Sequence, residues 1–118
     1  MNAFIVFVGG GFGSLLRYVI ALTIYKLGYN FPLATLIANV TACFLIGALT
    51  AMNLKGSLNE QHRLLLATGF CGGFSTFSTF SRETWVLLND GQYVIAFANI
   101  TLSIVLCLAA TFVGLKMV

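Results

Sequence analysis

The residues best suited to handle a small solute are the glycines, hydroxyls and phenylalanines of one stretch, Gly69–Ser81. Two adjacent glycines and a run of serines and threonines disfavour a regular helix there. A broken helix exposes carbonyl oxygens that can hold a cation and N–H groups that can face an anion. Phe74, Phe77 and Phe80 alternate with the hydroxyls, and the edge of a phenylalanine ring is positive. The stretch is therefore a candidate ion site, and a continuous helix with a glycine packing notch is the alternative.

Two runs of polar side chains recur at four-residue spacing, which places each run on one face of a helix. Asn39 and Asn99 are the costliest of them in lipid, so we expect both to face the protein interior. With Arg17, these runs supply N–H and O–H donors and no carboxylate, which favours an anion over a cation. The alternative is that the amides and hydroxyls only hold helices together. The runs are Thr35, Asn39 and Cys43, and Asn99, Ser103, Cys107 and Thr111.

Enzymatic chemistry finds no support in the remaining reactive residues. The single histidine, His62, lies beside Arg63 at a predicted helix start. The cysteines lie on three different spans without a C-x-x-C pair, which argues against metal ligation and a disulfide framework and predicts small, apolar packing roles. The acids lie near span ends and form no general acid/base pair. These residues are Cys43, Cys71 and Cys107, and Glu60, Glu83 and Asp90.

The elements that must position these residues follow from composition. The chain has 118 residues, is 59% hydrophobic and is only 8% charged, whereas an ordinary soluble domain is about 25% charged. A helix needs about 20 residues to cross the hydrocarbon layer. The stretches between charges predict one domain of four transmembrane helices, and Ser57 and Glu60 have the spacing of a capping box before the third. The spans are 3–25, 32–54, 62–88 and 91–115.

Charge and small residues bear on orientation and assembly. Lysine and arginine are balanced three against three on the two predicted sides. Orientation follows the bias of these residues, so the balance permits insertion in both directions. The alternative is that the three basic residues that lie in true loops set a single orientation. Gly9 and Gly13, and Ala34 and Ala38, have the four-residue spacing of close helix contacts. We expect a dimer, and the alternative is that these residues pack helices within one subunit.

Three motifs, taken in order, resemble the CrcB/Fluc family of fluoride channels. Gly9–Tyr18 resembles the first-helix signature, and Thr35–Asn39 resembles the second. Gly69–Ser81 is similar to the third-helix signature and is the most specific of the three. With the size and the four spans, the resemblance covers nearly the whole chain.

The resemblance implies an all-α membrane protein with a break in the third helix, assembled as an antiparallel, dual-topology homodimer. It implies two fluoride pores per dimer and passive, electrogenic export of fluoride across the inner (plasma) membrane. It also implies a structural sodium ion (Na+) at the dimer centre. The expected partners are fluoride, membrane lipid and the second subunit, with no nucleic acid and no other protein.

The resemblance also implies roles for individual residues. The backbone carbonyls of Gly72 and Ser75 would hold the sodium ion, and Ser75 stands where the family usually has threonine. Asn99 falls where relatives often carry tyrosine, and Glu83 falls where the family tends to place an acid beside the pore. The full set implied for the pore is Asn39, Phe77, Phe80, Ser78, Thr79, Ser103, Asn99, Arg17 and Glu83.

Two other functions are alternatives for a small four-helix chain. A proton-coupled small multidrug exporter needs a buried carboxylate, typically in the first span, and residues 3–25 contain neither Asp nor Glu, which argues strongly against this function. A non-transporting assembly subunit predicts no flux from the purified protein and a partner that copurifies with it.

Overall fold

The computed structural model describes residues 1–28 and 31–118, and these contain helices and no strand. Two long helices are followed by a region of shorter helical pieces between residues 60 and 89 and then by a third long helix. The elements are α1 (Asn2–Tyr25), α2 (Leu33–Leu54), α3 (Glu60–Arg63), a π-helical segment (Leu64–Cys71), α4 (Gly72–Phe74), α5 (Phe77–Asn89) and α6 (Tyr93–Met117).

Three of these helices, α1, α2 and α6, are long and apolar enough to cross a membrane. A 24-residue helix such as α1 is about 36 Å long, which exceeds the ~30 Å hydrocarbon layer. Most large apolar side chains on α1 and α6 are exposed on the isolated subunit, where lipid can solvate them. The chain is therefore an all-helical membrane protein. The predicted third span, 62–88, corresponds to the shorter pieces from α3 to α5.

The α1 helix packs along the π-helical segment and α4, and the two run in the same direction. A Cβ atom built on Gly9 would overlap the Leu65 carbonyl oxygen, and one built on Gly13 would overlap that of Phe70. Only glycine lets the two backbones approach this closely, and close approach favours Cα–H···O contacts between helices. The small residues of the first span therefore contact the third region of the same subunit.

The α2 and α6 helices form the second parallel pair. A Cβ atom on Gly47 would overlap the Thr111 carbonyl oxygen, and one on Gly114 would overlap that of Phe44. At the ends of the pair, Lys55 donates a hydrogen bond to the backbone oxygen of Val118. In both pairs, each glycine lies against one particular stretch of the neighbouring backbone. These contacts fix how far one helix is shifted along its axis relative to the other.

The buried core is small and lies where the pairs meet. Ala38 and Ala42 of α2 are almost completely buried against Phe74, and Ile20 and Phe70 pack around them. The Phe70 and Phe74 rings stack with their centroids 5.5 Å apart. Phe74 is therefore a core residue.

The start of α3 differs from the expected capping box. Asn59, rather than Ser57, is the N-cap, and its side-chain oxygen accepts a hydrogen bond of 2.8 Å from the His62 amide. Gly56 has a φ of 74°, a left-handed conformation that glycine adopts freely. The turn therefore continues past Ser57, and Asn59 is the residue that reaches the first free N–H groups of the helix.

Candidate functional site

The helical path from α4 to α5 is interrupted by two extended residues. Ser75 has φ −84° and ψ 154°, and Thr76 has φ −153° and ψ 121°. Thr76 caps α5 because its side chain accepts a hydrogen bond from the Thr79 amide at 3.2 Å. The hydroxyl of Thr76 also lies 3.1 Å from that of Ser78. The run of hydroxyls therefore serves partly to cap the start of α5.

Asn39 of α2 holds this interruption with both atoms of its amide group. Its Oδ1 accepts the Thr76 N–H at 2.8 Å, and its Nδ2 donates to the Thr76 carbonyl at 3.3 Å. In a continuous helix, the same N–H would bond to the carbonyl of Gly72, four residues earlier. The asparagine side chain thus satisfies backbone groups that would otherwise be unpaired in lipid, as irregular backbone at membrane depth requires.

A cavity of about 390 Å³ opens beside the interruption, between α2, α5 and α6. Its wall combines an amide, hydroxyls, two thiols and two aromatic rings. The Phe77 and Phe80 ring centroids lie 5.6 Å apart, and Phe77 is 79% exposed at the outer side of the subunit. The lining residues are Asn39, Cys43, Ser75, Thr76, Phe77, Phe80, Ser103, Ile104, Cys107 and Leu108. This is a neutral, donor-bearing and aromatic site.

Arg17 approaches the interrupted region from α1. Its Nε donates to the Gly73 carbonyl at 3.2 Å, and the Ser14 hydroxyl donates to the same oxygen at 3.4 Å. The guanidinium therefore forms a hydrogen bond to a carbonyl near the end of α4, where the helix dipole is negative. Its positive charge is fixed beside the interruption, and it does not line the cavity.

Asn99 lies in a buried polar chain between α5 and α6. It is 2% exposed, and its Nδ2 donates to the Thr84 hydroxyl at 2.9 Å. Thr84 in turn donates to the Phe80 carbonyl at 2.8 Å, and the Ser103 hydroxyl donates to Asn99 Oδ1 at 3.5 Å. Asn99 therefore supports the cavity through Ser103 and through the helix that carries Phe80.

The buried hydrogen bonds of Asn99 give a first test. Thr84→Val leaves the Asn99 amide without its buried acceptor, so the free energy of unfolding should fall by about 1–3 kcal/mol. Denaturant unfolding in detergent, followed by circular dichroism, measures the change. Thr101→Val on the exposed face of α6 is the control and should stay within about 0.5 kcal/mol of the parent. Equal stability of the two variants would contradict the supporting role.

Glu83 lies away from the cavity just described. It lines a different pocket with Arg82, between α5 and the ends of α1 and α2 that face each other. Its Oε1 atom is buried and has no hydrogen-bond partner among the described residues. The acid therefore lies at one end of the subunit.

Comparison with known proteins gives the relationship. The family described as "CrcB-like protein, Camphor Resistance (CrcB)" matches residues 4–115. The chain belongs to this family. Among its relatives, the "Fluoride-specific ion channel FluC" of Pyrococcus horikoshii is 46% identical over 97% of this chain and 95% of its own length. Proteins with the same name from Phocaeicola vulgatus and Desulfotalea psychrophila are 42% and 45% identical.

Membership of the CrcB family agrees with the resemblance seen in the three motifs. The shared name describes ion channels rather than enzymes, which agrees with the expectation that this chain has no catalytic site. The match also covers most of the relatives' own length, including 94% of the Phocaeicola protein and 89% of the Desulfotalea protein. The comparison therefore concerns the whole chain and not one motif.

The structure brings some of the residues expected in the pore together and separates others. Asn39, Phe77, Phe80 and Ser103 line one cavity. Thr79 and Ser78 adjoin it through hydrogen bonds to Thr76. The other three lie elsewhere. Asn99 is buried behind the cavity wall, Arg17 of α1 contacts the end of α4, and Glu83 lines the other pocket.

Three partners in the site were not expected from the sequence. Thr76 is the residue that Asn39 holds, and Thr84 is the residue that Asn99 holds. Cys43 and Cys107, which the sequence places on the two polar runs but predicts to have packing roles, line the same cavity. The four-residue spacing places Cys43 on the same helix face as Asn39, and Cys107 on the same helix face as Ser103. This spacing is the signal in the sequence that the two cysteines line the same cavity as Asn39 and Ser103.

Proposed function

We propose that the chain is a channel that conducts fluoride passively across the membrane and so lowers the fluoride concentration of the cytoplasm. The observation that carries the proposal is the cavity beside Thr76, in which an amide, hydroxyls and phenylalanine rings meet without a carboxylate. The name shared by the relatives supports fluoride as the ion. The site of action we propose is the inner (plasma) membrane.

The chemistry of the cavity suits a small, strongly hydrated anion. A path for such an ion must replace its water with close donors, and Ser103 and Asn39 provide hydroxyl and amide groups. The positive ring edges of Phe77 and Phe80 can add further contacts to an anion. A carboxylate on this wall would repel the ion, and none is among the described lining residues.

We infer that the shorter pieces from α3 to α5 act together as a fourth crossing, interrupted at Ser75 and Thr76. They connect the end of α2 to the start of α6, which must lie on opposite sides of the membrane if α2 and α6 run parallel. An odd number of crossings between these points would meet this requirement. The interruption then lies inside the protein, where Asn39 satisfies its backbone.

We further propose an antiparallel homodimer with a pore in each half and sodium at its centre. The residues fit sodium, since the Thr76 N–H bonds to Asn39 rather than to the Gly72 carbonyl. Likewise the Thr79 N–H bonds to the Thr76 hydroxyl rather than to the Ser75 carbonyl. Oxygen atoms released in this way are suitable ligands for a hard cation. Gly72 is exposed on the isolated subunit and has open space around it.

Sodium bound to these carbonyls would supply a fixed positive charge that lowers the cost of an anion at membrane depth. The chain's own residues do the rest of the work. Asn39 fixes the backbone of the interruption, and Arg17 neutralises the end of α4. The balanced charge on the two sides of the protein permits the two subunits to insert in opposite directions.

The test is fluoride efflux from vesicles that contain only this protein, measured with a fluoride electrode and with chloride as the comparison ion. We expect fluoride to leave and chloride to stay. Efflux should accelerate when a potassium ionophore supplies counter-charge, because the movement is electrogenic. Equal passage of both anions would contradict selectivity, and no passage would favour an assembly subunit.

The ring edges give a second prediction. Phe80→Ile and Phe77→Ile keep an apolar side chain and remove the ring, so the fluoride efflux rate should fall about tenfold or more, equivalent to about 1.4 kcal/mol in the barrier. Phe7→Ile is the matched control, because Phe7 is 76% exposed on α1, away from the cavity, and Phe77 is 79% exposed. An unchanged rate in both test variants would remove the ring edges from the mechanism.

A further inference from the structure

Two thiols meet on the wall of the cavity. Cys43 of α2 and Cys107 of α6 both line it, and α2 and α6 pack side by side with these two residues on the wall that they share. The glycine contacts of Gly47 and Gly114 hold the two helices together on one side of this pair. The cysteines are unpaired, and each is half-buried, so neither is sealed within the core.

The ligand set at this point suits a soft cation. Sulfur ligands select ions such as Cu+, whereas carboxylate and carbonyl oxygens select hard ions. Structural zinc takes four ligands in a tetrahedron. Among the described residues, 1–28 and 31–118, no three histidine, cysteine or acidic side chains are grouped to hold a metal. The third cysteine, Cys71, is 2% exposed and is not among the lining residues.

We propose that Cys43 and Cys107 form a two-thiol site for a soft monovalent cation of the Cu+ and Ag+ class. Two S–H bonds break and two sulfur–metal bonds form, with two protons released to water and no change of oxidation state. The product carries one negative charge, because one monovalent cation joins two thiolates. Thiolates are the metal-binding form of cysteine, so binding should weaken as the pH falls.

Occupancy of this site would stop conduction, and this part rests on the proposed function. The thiols share the cavity with Asn39 and Ser103, each one helical turn away on the same helix. A metal held there occupies the space beside the proposed donors. Its two thiolates also place a net negative charge where an anion must pass. Both effects act against fluoride.

The first experiment measures binding alone. Purified protein in detergent is titrated with Ag+ in chloride-free nitrate buffer, and the heat and the protection of cysteines from maleimide are recorded. We expect one Ag+ per subunit. Cys43→Ser and Cys107→Ser should each lower the Ag+ affinity about 100-fold or more. Removal of a residue that only supports a metal ligand costs about 10–100-fold, and removal of the ligand itself should cost at least as much. Cys71→Ser should bind as the parent does.

Affinity retained in either ligand variant, or lost equally in Cys71→Ser, would overturn the two-thiol site. Size-exclusion profiles confirm that each variant is folded before titration. The three variants make the same chemical change, so they differ only in position. Cys71 is a demanding control, because its backbone oxygen accepts bonds from Ser75 and its place in the fold is close to the cavity.

The second experiment measures fluoride efflux with and without Ag+, and each variant is compared with its own metal-free rate. We expect at least tenfold inhibition of the parent, relief by an excess of a small thiol, and no inhibition of the Cys43→Ser/Cys107→Ser double variant. Inhibition that persists in the double variant, or Ag+ that binds without inhibiting, would overturn the block. A parent that binds Ag+ but shows no efflux would overturn the proposed function and leave the site standing.

Discussion

Asn39→Ala should abolish fluoride efflux, with a loss of well over tenfold against the parent. The substitution removes both hydrogen bonds to Thr76, at 2.8 and 3.3 Å. Each backbone group left unpaired in a buried setting costs about 1–3 kcal/mol. The interruption must then change its backbone conformation, and the wall that carries Phe77 and Phe80 moves with it. The electrode assay on reconstituted protein measures the loss.

Two further variants separate a broken fold from a broken path. Asn53→Ala, on the exposed last turn of the same helix, should conduct as the parent does. Asn39→Asp keeps an acceptor for the Thr76 N–H, so we expect a folded protein in which the ionised carboxylate repels the anion. Its residual efflux should fall as the pH rises and more of the carboxyl ionises. Parental efflux from Asn39→Asp at alkaline pH would exclude Asn39 from the path.

Gly13→Val should prevent the protein from accumulating in a folded form. A Cβ atom at this position would overlap the Phe70 carbonyl oxygen and lie 2.8 Å from the Phe74 amide nitrogen. These neighbours are backbone atoms, so no side chain can turn aside to make room. Overpacking costs about 1–3 kcal/mol where side chains can adjust, and more is expected here. The yield of monodisperse protein and the thermal midpoint in detergent report the effect.

Gly11→Val provides the matched control for this packing argument. Gly11 lies on the same helix two residues earlier, and a Cβ atom there meets no atom within 4 Å. Both variants add the same side chain to the same helix, so a difference between them reports the contact face. We expect Gly11→Val to accumulate and to unfold within a few degrees of the parent. Equal loss in both variants would contradict the assigned packing of α1.

The overall class could be predicted from the sequence because it depends on composition and on the order of charges. A chain with 8% charged residues has too few to cover a surface in water. The predicted apolar spans 3–25, 32–54 and 91–115 lie within a few residues of α1, α2 and α6, because an apolar helix must be long enough to cross the bilayer. Local signals were less reliable at the start of α3, where Asn59 rather than Ser57 caps the helix.

The roles of the three regularly spaced phenylalanines could not be predicted from their spacing. Phe74 is buried in the core and stacks on Phe70, whereas Phe77 and Phe80 face the cavity. Ser75 and Thr76 adopt extended conformations between them, so the helical phase that relates residues three apart is lost. The same stretch therefore supplies one packing residue and two cavity residues.

By itself, the sequence determined that the chain is helical, that it lies in a membrane and that Arg17 is the one charge in the middle of a predicted span. It also placed Asn39 and Cys43, and Ser103 and Cys107, on shared helix faces, because a helix repeats every 3.6 residues. Only the tertiary structure decided that Asn39 forms hydrogen bonds with the Thr76 backbone, that Asn99 donates one to the Thr84 hydroxyl, and that Cys43 and Cys107 line the same cavity. These pairs join different helices. The glycine contacts between backbones set how far neighbouring helices are shifted along their axes relative to each other. The periodicity within one helix carries no information about this shift.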